Sequence, residues 1–252
     1  MSEQIIGRVA ELWRYPVQSM RGEAMSDVTI WPNGMPGDRA WGVLDPAEGK
    51  IAAAAKGKKP WRELIRWQAH FLREPEKTDP TAPVEIRLPD GELIDGTAPD
   101  RDHRIAAAIG APAKLVARHI GNQAYGYASL HLLTTATLKA LSAHYPSGRF
   151  EPARFRPNIV IDSGALESFV EQGWIDARVL IGEAALEVAD HCLRCVLTTL
   201  PQGLLPLDPG ILKATSEANE RRAGVYAAVA KTGRIRVGDP VRLTRTVSRS
   251  AA

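Results

Sequence analysis

Apolar and polar residues alternate along several short segments of the chain, a pattern with the two-residue period of half-buried β-strands. The alternation predicts three hairpins, at residues 83–94, 177–190 and 233–243. In the first, Val84, Ile86 and Leu88 share one face, and the letters PDG provide the turn. Short strands are predicted in three further segments: 27–31, 155–161 and 196–200. Strands with turn signals at this spacing favour a β-barrel.

The other two predicted hairpins carry apolar residues at alternate positions, and this alternation predicts which side chains face a core. In the second hairpin, Val179, Leu186 and Val188 are expected to point inward. In the third, Ile235 and Val237 alternate with arginines, so the arginines are expected to face water. Both segments are therefore expected to have one buried face.

Two segments have the apolar spacing and the end signals of helices. The first spans residues 97–110, where Thr97 is the expected N-cap, Asp100 reaches back to it, and Gly110 ends the helix. The second lies within residues 133–146 and stops at a proline. Because strands outnumber helices, we expect a mainly β fold with some α structure (α+β), in which helices lie outside a barrel.

The break after the first helix suggests a division of the chain into two domains. We expect a β-rich N-terminal domain at residues 1–110 and a second domain at residues 111–252. The length of 252 residues is enough for a substantial apolar core in this arrangement.

Composition and charge limit the classes of partner. The net charge is +3, and basic residues are interspersed with acids, so we expect no nucleic-acid partner. The tightest basic cluster, AKGKKPWR at 55–62, is either a solvated loop or an anion-binding loop. No apolar run reaches the ~18 residues that span a membrane, and the start of the chain does not resemble a signal peptide. We therefore expect a cytoplasmic protein with no membrane partner.

Both cysteines of the chain lie in the segment HCLRC at residues 191–195. A structural zinc would need two more ligands, and the histidines show no paired spacing. A thioredoxin-like pair would open a helix, whereas VLTTLPQG follows here, and an iron–sulfur cluster needs more cysteines. Two readings stay open: one thiolate that binds a soft metal or carries sulfur, with Arg194 to keep it ionised, or two small buried apolar residues.

The order of five motifs along the chain resembles that of proteins with a MOSC domain. The motifs are LWRYPVQSMRGE (12–23), GDRAW (37–41), FRPNIVID (155–162), HCLRCVLTT (191–199) and GRIRVGDPVRL (233–243). The chain is most similar to the branch with an added N-terminal β-barrel domain, which includes the mitochondrial amidoxime-reducing component and its bacterial relatives. The resemblance implies a MOSC-type distorted β-barrel plus an N-terminal β-barrel-like domain.

The resemblance also implies a site for the molybdenum cofactor (molybdenum bound to molybdopterin). The ligand of molybdenum falls on Cys195, and Cys192 matches a neighbouring cysteine that is not the ligand. The implied contacts to the cofactor are Ser19, Arg39, Ser129, Thr134, Thr135, Arg156, Asn158 and Arg194. His191 is the candidate proton source because it adjoins the cysteines and histidine is the residue type most often used to transfer protons in this role.

The activity that the resemblance implies is the reduction of N-hydroxylated compounds: amidoximes, hydroxylamines and N-hydroxylated bases. Electrons would come from a separate flavoprotein, cytochrome b5-like protein or iron–sulfur protein. Two alternatives are a sulfur carrier with a persulfide on Cys195 and a cofactor-binding protein without catalysis. The chain departs from the family pattern at Gln18, where relatives commonly have lysine, and at Leu193, where a proline is frequent. Arg21 and the basic loop are the candidates to replace the missing charge at Gln18.

Overall fold

A computed structural model describes residues 3–55, 59–118 and 129–245 of the chain. The strands in these ranges are β1 Glu3–Arg14, β2 Glu23–Met25, β3 Asp27–Ile30, β4 Trp41–Asp45, β5 Lys50–Ile51, β6 Gln68–Phe71, β7 Val84–Arg87, β8 Leu93–Asp95, β9 Lys114–Ala117, β10 Leu130–Thr134, β11 Ile159–Asp162, β12 Arg178–Ile181, β13 Ala184–Leu193, β14 Arg222–Lys231, β15 Gly233–Arg236 and β16 Pro240–Thr244. The α-helices are α1 Arg101–Ile109, α2 Thr135–His144, α3 Pro152–Phe155 and α4 Gly210–Asn219. Short 3-10 helices lie at Lys59–Arg66, Val170–Trp174 and Val196–Thr199.

Seven strands form a closed barrel. Their order is β11, β10, β14, β13, β12, β16 and β1, and β1 closes the ring by pairing with β11. All of these pairs are antiparallel except β10 with β11. Val179, Leu186 and Val188 are buried in the barrel core, as their alternation predicts. The expected α+β fold built around a barrel is confirmed.

The N-terminal part of the chain contains two small sheets around a second core. Strands β5, β4 and β9 form one sheet, and β6, β7 and β8 form the other. The predicted hairpin at 83–94 is confirmed, because β7 and β8 pair in antiparallel register with Ile86 opposite Ile94. Trp61 and Ile105 bring the first 3-10 helix and α1 into the same core. The domain boundary near residue 110 stays a prediction.

The third predicted hairpin is wrong, because its two strands do not pair with each other. Strand β15 pairs with β3, and β16 lies between β12 and β1 in the barrel. The turn between them bonds to distant strands, since Val237 N donates to Ser26 O and Gly238 N donates to Val9 O. Ile235 is buried as expected, whereas Val237 is 46% exposed.

Two local predictions are also corrected. Residues 196–199 form a 3-10 helix instead of a strand, because Thr198 donates from both N and Oγ1 to the carbonyl of Cys195. Helix α1 begins after Asp100, and Thr97 instead bonds to the carboxylate of Asp95. The end of α1 at Gly110, in left-handed conformation, is confirmed. Across the described ranges, no helix has the length and apolar character needed to cross a membrane.

Candidate functional site

The two cysteines lie in different environments at the end of β13. Cys192 is fully buried, and burial raises the pKa of its thiol. Cys195 is exposed and immediately precedes the 3-10 helix at Val196–Thr199. Neither thiol forms a disulfide. Of the two sulfurs, only that of Cys195 is therefore accessible to a ligand, a metal or a second protein.

Arg194 lies between the two cysteines in sequence and extends into the interior. Its Nη1 donates to Cys192 Sγ at 2.5 Å, and its Nη2 donates to the carbonyl of Phe155 at 2.6 Å. The charge of Arg194 lowers the pKa of the Cys192 thiol, but the larger effect of burial raises it overall. The contact therefore fixes the arginine beside a buried neutral thiol.

Arg39 and Arg156 both lie over the ring of Tyr15. Their guanidinium carbons are 5.0 and 4.2 Å from its centroid. Tyr15 is held by a hydrogen bond from its hydroxyl to the carbonyl of Pro157, at 3.0 Å. Arg39 pairs with Asp38, and its placement over the aromatic face adds a cation–π contact.

Arg156 is linked to Arg194 through the backbone of Phe155, whose carbonyl accepts from Arg194. The Nη1 of Arg156 donates to the carbonyl of Met20 at 2.5 Å. We call Arg39, Arg156 and Arg194 together the arginine site. All three side chains are buried, so their charges act through a medium that screens poorly.

A pocket of about 130 Å³ opens beside the arginine site. Its lining comes from both halves of the chain: Trp13, Tyr15, Arg21, Gly22, Gln68, Ala153, Arg156 and Gln202. Arg21 donates from Nη2 to Gln68 Oε1 at 3.0 Å. Its Nε is buried and has no hydrogen-bond partner in the ranges that the structure describes, and burial lowers the pKa of the guanidinium. Arg21 and Arg156 therefore bring two guanidinium groups to the lining of this pocket.

The segment that follows Cys195 is held by Arg154, a fully buried residue that the sequence did not single out. Its guanidinium donates to the carbonyls of Arg149, Thr198 and Pro206 at 2.9 to 3.1 Å. Gln202 adds a bond from Nε2 to the carbonyl of Leu197, at 3.3 Å. A buried arginine shows no periodicity in sequence, so no signal could have identified Arg154.

The structure places Ser19 and Asn158 close to the arginine site but commits their polar atoms to the fold. Ser19 Oγ accepts from the backbone N–H of Ala54 at 3.1 Å. Asn158 Oδ1 accepts from the N–H of His131 at 3.1 Å, and Nδ2 donates to the carbonyl of Trp13 at 3.3 Å. Asn158 thus joins β10 to β1, and its contact with a cofactor stays a prediction.

The predicted anion site at the start of α2 is already filled by a carboxylate of the chain itself. Thr134 and Thr137 each donate from Oγ1 to Glu171 at 2.6 Å, and the N–H of Gly224 donates to the same carboxylate. Thr135 Oγ1 instead donates to Asp162, at 3.2 Å. Burial raises the pKa of Glu171. The hydroxyls at this helix start therefore bind internal acids.

Ser129 lies far from Cys195 along β14, whereas His191 lies close to it on β13. Ser129 bonds to Ala227 on β14, about 17 Å along the strand from the position that pairs with the end of β13. His191 pairs with Val225, and its Nδ1 is buried with no hydrogen-bond partner within the described part of the chain. Ser129 is thus separated from the cysteines, whereas His191 is near them.

The basic loop and the metal-ligating residues were the remaining candidates for anion and metal binding. Residues 56–58 of the predicted basic loop lie outside the described residues. Among the side chains that the structure describes, no group of three or more histidine, cysteine, aspartate or glutamate residues could hold a metal ion.

Comparison with known proteins identifies matches over both parts of the chain. The MOSC domain model matches residues 117–242, and the MOSC N-terminal beta barrel domain model matches residues 6–105. Human mitochondrial amidoxime reducing component 2 is 25% identical, and the match covers 94% of this chain and 84% of that protein. Human mitochondrial amidoxime-reducing component 1 is 27% identical, with coverage of 95% and 84%.

Among solved structures, the YUAD protein from Bacillus subtilis has a similar fold. The TM-score is 0.54 at 11% identity, and the match covers 97% of this chain and 98% of that one. The likeness over nearly the full length supports the observed fold, and the family models identify its parts. The chain belongs to the MOSC domain family.

Proposed function

We propose that the protein is a molybdenum cofactor-dependent reductase of N-hydroxylated compounds such as amidoximes, hydroxylamines and N-hydroxylated bases. The observation that carries the proposal is the exposed thiol of Cys195, which directly follows Arg194 of the buried arginine site in the chain. The human relatives named above are amidoxime-reducing components, and they match nearly the whole of this chain. The proposed substrate class follows that name.

The residues present fit an anionic cofactor with a soft metal. A thiolate is a soft donor that suits molybdenum, and Cys195 is an accessible one. The arginine site presents buried positive charge to a phosphate group, for which guanidinium groups have matching donor geometry. Arg21 adds the buried Nε that needs a partner, and so supplies positive charge where Gln18 replaces a lysine.

In this proposal the residues of the chain bind the cofactor and position it. When bound, the cofactor supplies two-electron redox chemistry at molybdenum. Cys195 would provide the protein ligand, and Arg154 fixes the segment that follows it by bonds to the carbonyls of Thr198 and Pro206. The arginine site holds the cofactor's anionic group. His191 is the proposed proton donor, since its Nδ1 makes no other hydrogen bond among the described residues.

Electrons must reach the site from a separate protein in this proposal. A flavoprotein, a cytochrome b5-like protein or an iron–sulfur protein would serve, and the relatives' designation as components is consistent with a multiprotein system. The exposed position of Cys195 leaves the site reachable from the surface. The proposed compartment is the cytoplasm.

The test is molybdenum and pterin analysis of the full chain purified from a host that makes the cofactor. About one molybdenum per chain is expected, and Cys195→Ser should lose it. Cys192→Ser is the matched control and should retain the metal, because the Cys192 side chain is fully buried and a serine hydroxyl can still accept from Arg194. Reduction of an amidoxime with a chemical electron donor should follow the metal content. Loss of molybdenum in the Cys192 variant alone would contradict the assignment.

One alternative is favoured by the same exposed thiol, because a sulfur carrier also needs an accessible cysteine. Metal-free protein with cyanide-labile sulfur on Cys195 would support a sulfur carrier. Full molybdenum loading without amidoxime reduction, in the presence of a competent donor, would instead support a cofactor-binding protein without catalysis.

A further inference from the structure

His131 is a fully buried histidine whose two ring nitrogens both face carbonyl oxygens. Nδ1 is 3.4 Å from the carbonyl of Arg156, and Nε2 is 3.3 Å from the carbonyl of Ala223. A neutral imidazole has one N–H, so it can donate to only one of two carbonyls. Both distances exceed the usual N–H···O range, as expected for a ring that cannot bond both acceptors. An imidazolium would satisfy both.

The charges around His131 oppose its protonation in the protein alone. Burial is the largest effect and, with the charges of Arg194 and Arg39, it holds the pKa of His131 well below its usual value. Asp38, on the same loop as Arg39, is paired with that arginine.

Two neighbours of the ring are uncharged, and the side chain of Glu171 accepts from Gly224 N, in the peptide whose carbonyl faces Nε2. Tyr226 packs against the ring of His131 at 5.7 Å between centroids. The buried Cys192, which bonds to Arg194, has a thiol whose pKa burial raises, so it carries no charge at neutral pH. Arg194 and Arg39 are therefore the charges that oppose a proton on the histidine.

We propose that His131 takes up a proton when a dianionic oxyanion binds at the arginine site. The anion offsets the charges of Arg39 and Arg194, and the protonated ring then donates to the carbonyls of Arg156 and Ala223. Because one bond fixes the backbone of Arg156, the proton also rigidifies the residue that holds the anion. The inference rests on the proposed function only in taking the physiological anion to be a phosphate-bearing cofactor.

Linkage gives the direction of the pH dependence. If binding raises the pKa of His131, then lowering the pH must tighten anion binding over the interval between the free and bound pKa values. With one proton taken up, the affinity increases about tenfold for each pH unit lowered. Sulfate is a suitable probe, since it stays a dianion through the neutral range and its own titration does not interfere.

The first experiment is calorimetric titration of sulfate into the full chain, purified from a host that does not make the cofactor. Measurements in two buffers of different ionisation enthalpy, between about pH 5.5 and 8, give the number of protons taken up. We expect net proton uptake on sulfate binding that is largest at the acidic end of this range, because burial still opposes the protonated ring. His131→Gln should bind sulfate without this uptake. His144→Gln is the matched control and should behave as the wild type, because His144 is a surface residue paired with Glu217.

The second experiment observes the ring directly by NMR of histidine-labelled wild-type protein. The His131 signals can be assigned through contacts with the ring of Tyr226, so the result does not depend on a variant that folds. Sulfate should convert His131 from one neutral tautomer to the imidazolium, while the His144 signals should not change.

Three results would overturn the proposal: sulfate binding with His131 still neutral, proton uptake that persists in His131→Gln, or no sulfate binding at all. The proposed function fails separately, in the molybdenum analysis. A chain that takes up sulfate and a proton but never loads molybdenum would leave the anion-linked protonation intact and refute the cofactor-dependent reductase.

Discussion

Replacing Arg154 with methionine tests how the segment that carries Cys195 is held in place. The guanidinium is fully buried and bonds to the carbonyls of Arg149, Thr198 and Pro206. Methionine fills much of the same volume but cannot donate, so these acceptors lose their partner. We expect the segment after Cys195 to loosen while the barrel itself stays folded.

The magnitude follows from two opposing effects. Leaving a buried acceptor unsatisfied costs about 1–3 kcal/mol, and three carbonyls lose a charged donor here. Against this, burial lowers the pKa of Arg154, so the charge itself is unfavourable in the interior and its removal returns part of the loss. We therefore expect Arg154→Met to lower the free energy of unfolding by about 3 kcal/mol.

Urea unfolding followed by tryptophan fluorescence measures this change, and the rate of thiol labelling at Cys195 reports on the segment. Labelling should become faster in Arg154→Met, since the 3-10 helix at Val196–Thr199 loses a backbone anchor. Arg178→Met is the matched control, because Arg178 is 51% exposed and pairs only with Glu187 in the described structure. Its effect should stay within about 0.5 kcal/mol.

The outcome that refutes the reasoning is specific. If Arg154→Met unfolds within about 1 kcal/mol of the wild type and labels at the same rate, the bonds to the three carbonyls do not hold the segment. A stability loss without faster labelling would show that Arg154 stabilises the fold but leaves the position of Cys195 to other contacts.

Three further predictions concern titration, reactivity and packing. Burial raises the pKa of Glu171 above its ordinary value of 4.5, so the free energy of unfolding should fall as the pH rises from that value through the folded-state pKa. The midpoints of urea unfolding should show this fall in the wild type and not in Glu171→Gln. Iodoacetamide should modify Cys195 in the native chain and Cys192 only after unfolding, and equal rates by mass spectrometry would contradict their assigned burial. Leu186→Ala should lose about 2–5 kcal/mol in urea unfolding, whereas Leu204→Ala, at a side chain that is 91% exposed, should lose less than about 0.5 kcal/mol.

The pairing of strands in the barrel could be predicted where the two strands are neighbours in the sequence. At residues 177–190, alternation and a glycine turn specify both strands and their pairing, and β12 pairs with β13 as expected. At residues 233–243 the same signals are present, but each strand bonds to a partner distant in the chain. Alternation identifies a buried face and carries no information about which strand lies beside it.

The candidate site shows a similar limit. Arg39 and Arg156 both lie over the ring of Tyr15, a shared partner that no signal in the sequence indicates. Thr134 fits the sequence pattern of an anion-binding helix start, yet its anion is Glu171. A hydroxyl at a helix start looks the same in sequence whether a ligand or the chain supplies the acid. The distinction depends on which carboxylate the fold places there.

Three of the candidate site residues have a backbone conformation that is uncommon for residues other than glycine. Ser19, Arg39 and Arg156 have φ values of 67°, 55° and 54°, in the left-handed region that glycine adopts with little strain. Each non-glycine residue there carries a cost of about 1–2 kcal/mol. Three such residues come from three separate motifs, and the fold holds each one with its side chain at or near the arginine site. Glycine would relieve the strain at Arg39 and Arg156 but would remove the guanidinium groups that lie over Tyr15. Phe169, Asp176, Glu220 and Arg221 share the conformation, so it is a property of these turns and does not by itself mark a binding residue.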